Sequence, residues 1–134
     1  MLRYMLDTDV CSYAIKRKPP ELLARLRRGL GADELCISVI TRGELLYGLA
    51  LLPNATSLAK AVYAFLDTLP TLDWTSPAAD HYARLRADQK MCGHPIGYMD
   101  TQIAAHALAE KLILVTNNQR HYSQVPGLTL ENWA

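Results

Sequence analysis

Short apolar runs alternate with longer stretches in which apolar residues recur every three or four positions. The runs lie at 2–6, 35–40 and 112–116. Runs of this length, bounded by polar residues, fit strands buried on both faces of a sheet. Leu112 to Thr116, with Ile-Leu-Val unbroken, is the central-strand candidate. The stretches between them predict helices. Asp9 is placed to cap one over about 10–17, and Lys18-Pro19-Pro20 ends it. Pro20 begins a second through Arg28, with Gly29 and Gly31 as its stop. Thr41 begins a third to about Leu52, with Leu45, Leu46, Leu49 and Leu52 along one side. Leu58, Val62, Phe65 and Leu66 stripe a fourth over about 57–67. Pro70 restricts 69–74 to a short or edge strand. Ser76-Pro77 opens a helix to about Met91, and 93–97 is a turn. Helices follow at about 98–110 and 118–124, with a last short strand at 128–130.

Strands alternating with helices predict an α/β fold: three layers, with helices on both faces of a mainly parallel sheet of four or five strands. The chain has 134 residues, the size of one domain, and neither repeat nor linker interrupts it. Half the residues are hydrophobic and 20% are charged, which supports a packed core and argues against disorder. A net charge of +1 demands no nucleic-acid partner. Cys11, Cys36 and Cys92 are too widely spaced for a disulfide framework or zinc knuckle. Asp7 interrupts the first apolar run before a signal peptide can form, and no run reaches membrane-spanning length. A soluble cytoplasmic protein is expected.

Candidate chemistry lies in three acids distant in sequence. Asp7 closes the first apolar run, Glu44 follows the second, and Asp100 opens the helix before the third. A parallel sheet gathers its strand ends into one crevice, where these acids can meet. Gathered carboxylates repel unless they share a proton or a hard cation. Each acid also has an ordinary explanation. Asp7 can hydrogen-bond its own loop, and Glu44 can complete a capping box with Thr41. Asp100 can serve as a first-turn acid or form a salt bridge. Asp9 reads as a cap before it reads as a ligand. Ile103, Ala104, Ala107 and Leu108 place Asp100 on the inward face, where an unpaired charge is costly.

Thr116-Asn117-Asn118 brings further oxygens to the end of the third run, as site groups or as caps. An all-oxygen set favours Mg²⁺ or Mn²⁺ over zinc. His81, His94 and His106 read as ordinary histidines, while His121 lies near the acids. No phosphate-cradling glycine motif occurs. Basic residues gather in 16–28 and at Arg84, Arg86 and Lys90. They form either a backbone-binding rim around an acidic centre or a solvated surface.

Four stretches resemble PIN-domain ribonucleases of the VapC toxin type. They are Met5-Leu-Asp-Thr-Asp9, Ile37-Ser-Val-Ile-Thr-Arg-Gly-Glu-Leu-Leu-Tyr-Gly48, Pro95-Ile-Gly-Tyr-Met-Asp-Thr-Gln-Ile-Ala-Ala105 and Leu114-Val-Thr-Asn-Asn118. The closing Gly127-Leu-Thr-Leu-Glu-Asn-Trp133 resembles the tail of this group. The resemblance implies a PIN-like fold and a Mg²⁺-dependent endoribonuclease, usually a homodimer. It implies silencing by a VapB-type antitoxin, through which the complex reaches operator DNA. Transfer RNA is the implied substrate class, with the anticodon loop of initiator tRNA as one candidate. The main acids of the family fall on Asp7, Glu44 and Asp100, with Thr8, Asp9, Thr116, Asn118 and His121 in support. Asn118 stands at an often acidic position and His121 where close relatives often carry glutamate. Asp9 stands where asparagine is usual. With one acid fewer, a second ion is expected to bind weakly or only with RNA. The alternatives are a catalytically weak binding module and a metal-dependent phosphatase for small phosphoesters.

Overall fold

A computed structural model describes residues 1–134. Five strands form one sheet: β1 (Tyr4–Leu6), β2 (Leu35–Ser38), β3 (Thr71–Leu72), β4 (Ile113–Val115) and β5 (Leu130–Glu131). Their order is β3-β2-β1-β4-β5, and every pairing is parallel. Parallel neighbours need crossovers, which helices supply. α1 (Thr8–Ile15) and α2 (Pro20–Gly31) join β1 to β2, and α3 (Val39–Ala50) and α4 (Thr56–Leu66) join β2 to β3. α5 (Ser76–Cys92) and α6 (Tyr98–Glu110) carry the chain back to β4, and α7 (Gln119–Tyr122) leads to β5. The order therefore reverses beside β1, and the carboxyl ends of β1 and β4 flank the switch point where α/β sheets open a crevice.

The strands alternate between two cores. Tyr4 and Leu6 join Leu22, Leu26, Leu45, Val62 and Leu66 on one face. Met5, Cys36 and Leu114 join Leu85, Ile103, Ala104 and Ala107 on the other. That alternation explains why the strands read as continuous apolar runs: neither face meets water. Both Cys11 and Cys36 are buried and Cys92 is exposed. Burial drives the Cys11 thiol well above its ordinary pKa and lifts that of Cys36 to about 12.

Several element boundaries depart from the sequence expectation. The run at 35–40 is strand only to Ser38, because Val39 and Ile40 already belong to α3. Ser38, not Thr41, caps that helix, accepting from the Ile40 N–H at 3.0 Å. The capping box at Thr41 and Glu44 is therefore absent. At α1 the cap is Asp7 rather than Asp9. Gly29 and Gly31 lie inside α2, which ends at Gly31. Gly29 is needed for packing: a Cβ there would meet Leu35 Cδ2 at 2.7 Å. Thr75, one residue before Ser76, caps α5. Pro70 does confine β3 to the sheet edge. No helix is long and apolar enough to cross a membrane.

Candidate active site

Asp7 is the first residue beyond β1. Its N–H donates to the Val115 carbonyl at 3.0 Å, tying the end of β1 to β4. Its Oδ1 accepts from the Val10 N–H at 2.8 Å and so closes the first turn of α1. Only 3% of Asp7 is exposed. Burial raises its pKa from 3.8 to about 6. Hydrogen bonds from Thr116 and Val10 restrain that rise, while the charges of Asp9 and Asp100 add to it.

Glu44 extends from α3, freed from any capping duty. Thr8 Oγ lies 3.3 Å from Glu44 Oε1 and 3.2 Å from Thr41 Oγ. The carboxylate can only accept, so the Thr8 hydroxyl donates to Glu44 and receives from Thr41. Burial raises the Glu44 pKa; the Thr8 bond opposes this, and the Asp100 and Asp9 charges reinforce it.

Asp100 lies in the first turn of α6, which begins after Gly97 at φ 95°. Only glycine enters that conformation readily, so the turn that delivers Asp100 depends on it. His121 Nε2 lies 2.8 Å from Asp100 Oδ2 and 2.9 Å from the Ile96 carbonyl. Both partners are acceptors, so this nitrogen carries a proton. His121 thereby pins Asp100 to the 96–97 loop.

These elements enclose a crevice of about 470 Å³. Asp7, Asp9, Glu44 and Asp100 line it with Thr8 and Asn118, and no lysine, arginine or histidine does. Thr116 lies wholly buried behind Asp7, and its Oγ accepts from the Asn118 N–H at 3.0 Å. His121 borders an adjoining hollow with Asn118 and Arg120. Tyr122 and the segment 96–99 also line the crevice and were not legible as site residues. Tyr122 is buried, and its pKa is raised by burial and then by the charges of Asp100 and Asp7. Its spacing of four from Asn118 was the one available signal.

The basic segments divide. Lys16 borders a groove that reaches Glu44. Arg25 does not join a rim: it stacks 4.3 Å from the Trp133 ring and bonds Tyr4 Oη at 3.1 Å.

A second link stiffens the crevice from behind. His106 on α6 is fully buried, with Nδ1 2.8 Å from Ser38 Oγ. Its Nε2 has no hydrogen-bond partner, and burial lowers the ring's pKa. The helix bearing Asp100 is thus joined to the cap of the helix bearing Glu44. Ser38→Ala removes both bonds and should cost about 1–2 kcal/mol of stability. The check is a lower urea midpoint at unchanged slope.

The fold and crevice have counterparts. The profile of the PIN domain family matches residues 4–128. The chain belongs to the PIN-domain family, in its VapC toxin group. The tRNA(fMet)-specific endonuclease VapC of Shigella flexneri is 37% identical across the full length of both chains. Its namesake from Salmonella typhimurium is 41% identical over 99% of each. Among solved structures, DNA-bound VapBC from Salmonella typhimurium superposes with a TM-score of 0.93 at 36% identity, covering 100% of both chains. VapBC2 from Rickettsia felis, bound to a promoter DNA fragment, gives 0.92 at 34%, covering 99% of this chain and 100% of that one.

The VapC-type crevice contains no ready-made metal cage: no three His, Cys, Asp or Glu side chains stand close enough together. Yet its donors are all oxygens, its charges are negative with only Asp100 meeting a base, His121 at 2.8 Å, and two of its acids have raised pKa values. This set fits a hard divalent cation that keeps much of its own water.

Proposed function

We propose that this PIN domain is a Mg²⁺-dependent endoribonuclease toxin that hydrolyses RNA phosphodiester bonds, with Mn²⁺ as an alternative metal. The observation that carries the reading is the set of four carboxylates around one crevice, with no lining lysine or arginine to neutralise them. Phosphate cannot approach such a surface without a cation. When bound, the ion supplies that neutralisation and acidifies a water. Asp7 and Asp100 are its holders. Glu44, steadied by Thr8, orients the attacking water and accepts its proton. Its raised pKa suits it to that role. Asn118 keeps an amide where a fifth charge would deepen the repulsion, and His121 holds Asp100 in place.

Initiator tRNA is the proposed substrate, from the names carried by the Shigella and Salmonella relatives. A VapB-type antitoxin is the proposed silencing partner, with operator DNA reached through that complex, as the solved VapBC–DNA assemblies suggest. A homodimer suits the exposed Tyr47, Leu51, Leu52, Leu58 and Tyr63 on α3, α4 and the turn between them.

Purified chain should cleave tRNA with Mg²⁺, lose that activity in EDTA and leave a generic phosphomonoester untouched. Cleavage that survives EDTA, or faster turnover of the monoester, would replace this reading.

A further inference from the structure

Tyr98 opens α6 two residues before Asp100 and borders the crevice. It is 64% exposed, an aromatic ring left largely open to solvent on the rim. Nor is the ring loose. The Arg86 guanidinium lies over it, 4.2 Å from the centroid. Arg86 Nη1 donates to Tyr82 Oη at 3.3 Å. The Tyr82 ring packs edge-on to Trp74 at 6.3 Å, and Trp74 joins the core beneath the sheet. A relay of Trp74, Tyr82, Arg86 and Tyr98 thus runs from the interior to the lip of the crevice. Because Arg86 covers one face of Tyr98, the exposure belongs to the opposite face and the edge.

A flat aromatic face, held in place and backed by a cation, beside a crevice suited to a phosphodiester, has the chemistry of a nucleobase seat. Stacking supplies the contact, and the guanidinium draws the flanking phosphates. We propose that Tyr98, backed by Arg86, is a stacking platform for one unpaired base of the RNA, next to the phosphate in the crevice. The proposal rests on the ribonuclease reading and sharpens it. A base can lie on Tyr98 only when freed from its own helix, so the platform selects loops and single strands over duplex. Stacking reads no hydrogen-bonding edge, so it selects exposure of a base rather than its identity.

The test is a fluorescence anisotropy titration of the full chain against a labelled single-stranded oligoribonucleotide, with Ca²⁺ in place of Mg²⁺ so that phosphate can approach the crevice while the RNA stays intact. Tyr98→Ala should raise Kd by about 10- to 100-fold, and Tyr98→Phe should stay within about threefold of wild type. An abasic nucleotide walked along the RNA should weaken wild-type binding at one position and leave Tyr98→Ala indifferent there. A purely structural tyrosine would not give that cancellation. Equal Kd for wild type and Tyr98→Ala, equal abasic sensitivity in both, or absence of RNA binding overturns the platform. The cleavage assay separates the two readings. Cleavage without Tyr98 dependence removes the platform alone, and Tyr98-dependent binding without Mg²⁺-dependent cleavage removes the nuclease alone.

Discussion

Asp100→Asn should reduce RNA cleavage by about 10³-fold or more while leaving the fold in place. The magnitude follows from removing a charged holder of the ion, whose stabilisation of transition-state charge amounts to several kcal/mol. The fold survives because the amide has the same shape as the carboxylate and still offers an oxygen to His121 Nε2, 2.8 Å from Asp100 Oδ2. Asp100 is also only half-buried, so its substitution opens no cavity. Initial rates on labelled tRNA, paired with a urea midpoint, separate the two effects. A variant within tenfold of wild type would remove Asp100 from the proposed chemistry.

Asp7→Asn should abolish cleavage and, unlike Asp100→Asn, stabilise the metal-free protein. The Asp7 carboxyl titrates near 6 in the fold against 3.8 as its ordinary value, chiefly because it is buried. The folded chain therefore holds that proton more tightly than the unfolded chain. The resulting stabilisation is fully present below pH 3.8 and is lost as pH rises through about 6. Above that, the ionised Asp7 lowers stability by up to about 3 kcal/mol, which the neutral amide avoids. Asparagine can still accept the Val10 N–H, so the cap on α1 persists. Thermal melts in EDTA should show the variant well above wild type at pH 8 and close to it near pH 4. Mg²⁺ should narrow the difference at pH 8, since only wild type gains a cation beside the charged Asp7. A variant less stable than wild type at pH 8 would mean that Asp7 is held by its hydrogen bonds more strongly than burial opposes it.

The layering of the fold was readable wherever periodicity and a boundary residue agreed. Helix α6 was bounded by a turn glycine and carried an inward stripe, and its limits of 98–110 match those observed. Where apolar residues ran across a boundary, the sequence could not mark it. Val39 and Ile40 are as apolar as the strand before them, so β2 was extended into α3 and the capping Ser38 went unseen. The same error produced the capping box that competed for Glu44. Asp7 and Asp9 were equally able to cap α1, and the choice depends on where β1 ends to within a residue. The three main acids could be proposed together because parallel strands share a carboxyl end. Tyr98, Tyr122 and the 96–97 loop owe their places to packing between elements, and no local pattern encodes that.

Thiol chemistry on this molecule has a single address. With two of its sulfurs interior and reluctant to ionise, a maleimide dye will couple at position 92 alone, on the helix that also bears Arg86. Fluorophore signals from that one point can follow arrival of a nucleic acid without any engineered cysteine. The same lone sulfur will join two copies through a disulfide in air, so sizing experiments on this protein call for a reductant.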